Sequence, residues 1–323
     1  MTDSEPQRPP IWHWLHMTNL MAPAVACAWL AGLAAVYRLY VPGTYFVLLA
    51  AATWTVYTLD GLFDSRQPAA GRPGRTITPR ALFHRRFRVP FLVLLALVVA
   101  GAMFLALTEA SASLVMVAAG LGLLVAVYLG HAQALRSASW TLVPKEIFAG
   151  AIFSAGVLLP VLDLQGRFPF ADFAAMAAAA KGVSTFFLWL GWLVIATLGS
   201  LAMEPTTFLL AVLFSTNCLL TAANERNQDG VSDPGSARRV AGPAVRLAPW
   251  MAFGLAVGAL VIPAGIPLAS WRTLSLLVGL SSFLMLGAHL LGRKGWLSPA
   301  AACFWLDCAL LVPLGLLPAA MAG

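Results

Sequence analysis

The stretch Gly43–Arg66 reads GTYFVLLAAATWTVYTLDGLFDSR. It stays apolar for about the twenty residues that cross a bilayer as a helix. It then closes on two acids, Asp60 and Asp64, four positions apart. Residues at i and i+4 lie on one helical face, so the two carboxylates point together. A second apolar run, 205–224, closes the same way: Glu225 and Asp229 follow it in TAANERNQDGVSD. Asp233 would continue that row, but Pro234 and Gly235 end the helix.

The rest of the chain has the same character. Its 323 residues are 60% hydrophobic and only 10% charged, whereas soluble domains carry about 25% charged residues. The apolar runs do not alternate and are too long for barrel strands. The sequence therefore predicts an all-α polytopic membrane protein. Nine spans are expected, at 17–40, 43–63, 88–108, 111–131, 143–163, 205–224, 247–264, 271–291 and 298–318. They form one transmembrane domain over 1–323, a bundle around a central cavity. The first run is longer than the apolar core of a signal peptide and has a mixed-charge flank, so it is read as a retained helix.

The net charge of +7 reflects orientation and not nucleic acid. Seven arginines fall in 61–90 and four in 225–246. With Arg8, Arg136, Lys145, Arg293 and Lys294, sixteen of the twenty Lys and Arg lie on one side of the nine-span arrangement. The positive-inside rule makes that side cytoplasmic. The N-terminal segment 1–16 and the loops 64–88 and 225–246 then face the cytoplasm, as do both acidic motifs. A bacterial inner membrane is the expected location. The stretch STFFLWLGWLVIATLGSLA (184–202) is also apolar enough to cross. A single crossing there would put Glu225 and Asp229 outside, so zero or two crossings are required. An extra membrane-embedded element near 168–203 is expected.

Carboxylates at the end of a span are costly unless solvated, paired or bound to a cation. Four of them on one side make a site for a hard divalent ion. Mg²⁺ takes one or two carboxylates, waters and phosphate oxygens, and neighbouring arginines suit an anionic diphosphate. Ordinary interfacial charge is the plain alternative for one such pair, and a weaker one for two.

Two acidic motifs, after the second and sixth of nine spans, resemble the UbiA superfamily of intramembrane prenyltransferases. The resemblance covers nearly the whole chain in topology and short stretches in sequence, among them VPKEIFAGAIFSAGVLLP at 143–160. It implies that Asp60, Asp64, Glu225 and Asp229 bind Mg²⁺, which holds the diphosphate of a prenyl donor and helps it leave. The allylic cation is then captured by a lipophilic acceptor, aromatic or quinone-type. The family's first motif usually reads NDxxDxxxD. Here Val56 and Tyr57 stand where its Asn-Asp would be, and the second motif starts on Glu225. This chain looks like a divergent branch. A terpene cyclase of the same type, and a non-catalytic homologue serving as a lipid-binding or assembly subunit, are the other readings. A transporter fits less well, since no paired broken helices are evident apart from the odd 168–203 segment.

Other residues join the candidate site. Lys145, which begins the fifth span, either meets the diphosphate or simply marks the positive side. Asn224 ligates or orients beside Glu225. Asn19 is a pocket candidate in the first span, and Tyr57 either contacts the diphosphate or cation or only packs. Arg85, with His84 and Arg86, caps the diphosphate or binds anionic headgroups. Trp12, His13, Trp14 and His16 read as an interfacial belt. Asp307 lies inside the last span, which by default marks a functional position. Its role is either a hydrogen-bonded interior carboxyl or an acceptor-side contact. The four cysteines lie in apolar runs with no metal-site spacing, so neither a zinc site nor disulfides are expected.

Overall fold

A computed structural model describes residues 11–65, 79–134, 145–168, 195, 198–199, 201, 204–225, 242–261 and 269–315. Its helices are α1 Ile11–Met17, α2 Met21–Tyr37, α3 Gly43–Asp64, α4 Pro79–Arg86, α5 Arg88–Glu109 and α6 Ala112–Ala134. They continue with α7 Lys145–Leu164, α8 Pro205–Glu225, α9 Gly242–Val261, α10 Ala269–Arg293 and α11 Pro299–Ala309. All regular structure among the described residues is helical. Among the described residues six helices are long and apolar enough to cross a membrane: α3, α5, α6, α7, α8 and α10. The chain is thus a polytopic all-α membrane protein. The expected nine spans are only partly matched. Among the described residues α2 has 17 residues and α11 has 11, both short of a full span. Helix α9 carries an apolar stretch at Val245–Ala259 among the described residues.

The first span differs for a local reason. The apolar run from Met17 is broken at Asn19, which adopts a left-handed φ of 60°. The amide of Leu20 donates to Leu15 O at 3.0 Å and that of Asn19 to His16 O at 3.3 Å. These two bonds make a Schellman stop, with Asn in the position usually given to Gly. Hydropathy cannot register such a stop. Gly295 closes α10 in the same way at φ 75°, and here the glycine in GRKG was a readable signal.

Side-chain bonds sort the helix ends. At one end of the bundle, Asp163 near the close of α7 accepts from Tyr45 at 3.0 Å, at the start of α3. It also accepts from Ser111 Oγ at 2.7 and 2.8 Å and from Ser113 Oγ, at the α5–α6 turn. Tyr37, ending α2, shares a 2.6 Å bond with Thr206, beginning α8. Arg167 pairs with Glu204. The chain therefore leaves α7 and enters α8 on the same side, as the charge argument requires. The expected extra element at 168–203 falls almost wholly outside the described residues. At the opposite end lie the close of α3, the start of α7 and the close of α8.

The packing is tightest between α7 and α8. Gly150 meets the backbone of Ser215: a Cβ on residue 150 would lie 2.6 Å from Ser215 Cα. Around this contact Ser215 Oγ donates to Ile147 O at 3.2 Å and Ser154 Oγ to Thr207 O at 2.9 Å. Small residues and interhelical hydrogen bonds are the usual means of helix association in lipid, which provides no hydrophobic drive between helices. Trp29, Leu30, Leu33, Leu158, Leu162, Leu210 and Leu213 fill the core beside them. By contrast α5 buries only Phe91 and Leu95 and presents Val93, Leu97, Phe104 and Leu107 outward.

Candidate functional site

The end of α3 is the starting point. Its helix continues through Asp64, so the i, i+4 placement of Asp60 and Asp64 on one face holds. Asp60 is half-buried and makes no hydrogen bond or ion pair among the described residues. The side chains of Asp64 and Glu225, and all of Asp229, lie outside those residues. Glu225 is the last residue of α8, at the same end of the bundle as Asp60. Among the described residues no group of three or more His, Cys, Asp or Glu converges. Asp60 itself fits a hard cation: it is an oxygen donor, partly withdrawn from water, with no partner among the described residues to offset that cost.

A short basic helix stands beside it. The 64–88 region was expected as a loop, but Pro79–Arg86 forms α4, with Pro in the first turn where its missing N–H costs nothing. Helical periodicity turns Arg80, Phe83 and His84 inward and Arg85 outward. Arg85 is exposed. Arg80 instead reaches the inner side, with Nη2 3.5 Å from Tyr57 O and its Nε buried without a partner among the described residues. Among the described residues it is the arginine within electrostatic reach of both Tyr57 and Asp307. A reading by loop position favours the clustered Arg85 and Arg86; only the helix phase singles out Arg80.

Asn19 and His84 hold α4 in place. His84 is fully buried and packs over Gly61, where a Cβ would sit 3.1 Å from its Nε2. Asn19 Nδ2 is 3.3 Å from Tyr57 O, 3.5 Å from Thr58 Oγ1 and 3.4 Å from His84 Nε2. The amide donates, so Nε2 accepts and the imidazole is neutral. Phe83 adds an edge contact to Trp14 of α1, with ring centroids 6.2 Å apart. Trp14 keeps an exposed face, in keeping with an interfacial position. The side chains of Trp12 and His13 lie outside the described residues.

Burial pushes the His84 imidazole down to about 4, and the Arg80 charge acts in the same direction. The Met17 backbone and Asp60 oppose it. With a folded value below the ordinary 6.5, the unfolded state binds the extra proton first. The associated stability is therefore complete above pH 6.5 and is lost as pH falls toward 4. At 1.36 kcal/mol per pH unit the loss is at most about 3 kcal/mol. Thermal unfolding should show this slope in the wild type and a flatter profile in His84→Gln. Equal slopes would remove His84 as its source.

The remaining candidates gather around the same end. Tyr57 meets Phe153 edge-on at 6.5 Å, Phe153 meets Phe214 at 4.6 Å, and Phe214 meets Trp29 at 5.7 Å. This aromatic series runs from the polar end into the core. Lys145 and Glu146 begin α7, and Tyr128 of α6 donates to Lys145 O at 3.4 Å. Tyr128 is within electrostatic reach of Asp60, Lys145 and Cys218. Asn224 is buried with Nδ2 unpartnered among the described residues, and its Oδ1 would be 3.4 Å from a Cβ on Gly292 of α10. Asn217 of α8 donates to Asp307 Oδ1 of α11 at 3.1 Å. Asp307 is thus an interior carboxyl facing the bundle. The sequence flagged its depth but not its partner, because Asn217 is ninety positions away.

No protein-family model, curated protein or solved structure matches this chain.

Proposed function

We propose that this chain is a Mg²⁺-dependent intramembrane prenyltransferase of the UbiA type, moving an isoprenoid group from a prenyl diphosphate to a lipophilic acceptor. The observation that carries the reading is the half-buried Asp60 carboxylate, unpartnered among the described residues, on a face shared with Asp64. Glu225, the last residue of α8, adds a second acidic position at the same end of the bundle. Asp60, Asp64, Glu225 and Asp229 would hold Mg²⁺. Bound there, the ion supplies positive charge against the departing diphosphate.

The chain's own groups supply the rest. Arg80 offers its guanidinium to the diphosphate oxygens, and Lys145 adds charge from the start of α7. Tyr57, one turn before Asp60 on α3, meets Phe153 edge-on, and an allylic cation held beside these rings would gain from aromatic electron density. The apolar core beyond them suits a prenyl tail. This aromatic series fits equally a cyclase in which the cation closes on its own chain. Incubation with donor alone separates the two: a cyclised hydrocarbon product would favour the cyclase. The acids and basic groups would face the cytoplasm.

The direct test is calorimetric binding of geranylgeranyl thiolodiphosphate, a slow-reacting donor analogue, to purified protein. Binding is expected with Mg²⁺ and not with EDTA. Absence of binding in both conditions, repeated with shorter prenyl chains, would overturn the reading and leave a non-catalytic lipid-binding or assembly role.

A further inference from the structure

Helices α4 and α5 are one helix bent at Phe87. The amide of Phe87 donates to Phe83 O and that of Phe91 to Phe87 O, both at 3.0 Å, so the hydrogen-bond ladder runs through the bend. Pro90 has no N–H for the Arg86 carbonyl and its ring crowds that oxygen, which accounts for the bend. Helical phase is therefore kept from α4 into α5. Arg80, His84, Phe91 and Leu95, at i, i+4, i+11 and i+15, share the inward face, and the last three are buried. Leu82, Arg86, Val89 and Val93, at i, i+4, i+7 and i+11, share the outward one, flanked by Arg85. Arg88 follows as the first residue of α5. These outward side chains and Arg88 are all exposed.

Depth and charge say what meets this face. α5 has 22 residues, about 33 Å at 1.5 Å per residue, which matches a hydrocarbon core of about 30 Å. Arg88, at its first position, therefore lies where hydrocarbon gives way to phosphates, and Arg85 and Arg86 lie within one turn beyond it. α5 buries only Phe91 and Leu95, so no described helix covers its outward side. None of the three arginines makes an ion pair among the described residues. Arg86 lies over the ring of its neighbour Phe87, 5.7 Å from the centroid. Guanidiniums suit phosphate oxygens, and apolar side chains beside them at this depth suit acyl chains. A soluble phosphate or diphosphate would use the charges alone and leave Leu82 and Val89 without a partner.

We propose that the outward face of α4 and the first turn of α5 bind an anionic phospholipid, with Arg85, Arg86 and Arg88 on its phosphate and Leu82 and Val89 against its chains. The proposal is independent of the prenyltransferase reading. It divides the basic stretch by helix phase. Arg80 turns into the bundle, 3.5 Å from the Tyr57 carbonyl oxygen, and the outward arginines belong to the membrane surface. Juxtamembrane arginines are drawn to anionic headgroups over zwitterionic ones by charge, so the site selects lipids by headgroup and not by chain.

The test is native mass spectrometry of full-length, detergent-purified protein titrated with palmitoyl-oleoyl phosphatidylglycerol or phosphatidylcholine. The phosphatidylglycerol should bind at least about fivefold more tightly, the effect of one arginine close to an anionic membrane surface. The double variant Arg85→Gln, Arg86→Gln should lower that ratio by about fivefold or more. The control Arg38→Gln, Arg272→Gln removes two exposed arginines at the opposite end of the bundle and should leave it unchanged. Excess inorganic pyrophosphate should not displace the lipid from wild type, and the Arg85→Gln, Arg86→Gln protein should bind the thiolodiphosphate as wild type does. A wild-type ratio near one, or an equal fall in both double variants, would overturn the proposal. So would displacement by pyrophosphate, or loss of thiolodiphosphate binding in the Arg85→Gln, Arg86→Gln protein, since either gives those arginines to the diphosphate. If that variant does not fold, the wild-type ratio and the pyrophosphate competition decide. If wild type binds no thiolodiphosphate, the transferase reading falls and the lipid ratios still decide this proposal.

Discussion

Gly150→Ala should lower the thermal unfolding midpoint by about 5–10 °C, from a loss near the upper end of the roughly 1–3 kcal/mol typical of overpacking. The added methyl would meet the Ser215 amide and Cα, which are backbone and cannot swing aside. Relief requires α7 and α8 to separate. That would stretch the Ser215–Ile147 and Ser154–Thr207 bonds, which now lie at 3.2 and 2.9 Å. Gly156→Ala on the same helix is the control. A Cβ there meets only Leu121 Cδ2, at 3.9 Å, and alanine is the better helix former. Its midpoint should hold or rise slightly. Equal midpoints for the two variants would show that the Gly150 contact does not set the spacing of α7 and α8.

Asp60→Ala should weaken Mg²⁺-dependent binding of the donor analogue by about a hundredfold or more, comparable with the loss of one group stabilising a developing oxyanion. The unfolding midpoint should barely move, because Asp60 has no hydrogen bond or ion pair among the described residues to lose. That combination separates a ligand from a structural acid. Asp60→Asn should fall almost as far, since an amide oxygen lacks the charge that holds the cation. Asp163→Asn makes a useful contrast. Its carboxylate accepts from Tyr45, Ser111 and Ser113 at the opposite end, so it should cost stability and spare binding. Unchanged donor binding in Asp60→Ala would remove the acidic-motif reading.

Much of the fold was readable because a bilayer imposes a coarse rule. A helix must stay apolar for its whole crossing and can then stop. The run 205–224 therefore matches α8, Pro205–Glu225, within one residue, and 43–63 matches α3, Gly43–Asp64. The charge count required α7 and α8 to meet on one side, and the Arg167–Glu204 and Tyr37–Thr206 contacts agree. Acids at helix ends were visible for the same reason: a carboxylate cannot be placed deep in lipid without a function.

What stayed hidden depends on angle and distance. Asn19 interrupts the first span through its own φ of 60°, and no apolarity scale contains a dihedral. α4 has eight residues, mixed in character. It is held by packing on α1 and α3, so neither length nor hydropathy announced it. Arg80 and Arg85 are the same residue type in the same basic stretch. Only the phase of α4 against α3 sends one to Tyr57 and the other outward.

The amino-acid sequence by itself determined that the chain is a polytopic helical membrane protein, where its major spans run, and that acidic pairs end two of them. These are one-dimensional properties, set by runs of apolar side chains against a slab of fixed thickness. Tertiary structure alone decided which polar groups meet inside. Asn217 and Asp307 come within 3.1 Å of each other because α8 and α11 lie antiparallel in matching register. That register is set by side-chain packing between segments far apart in the chain, where no local pattern carries the information.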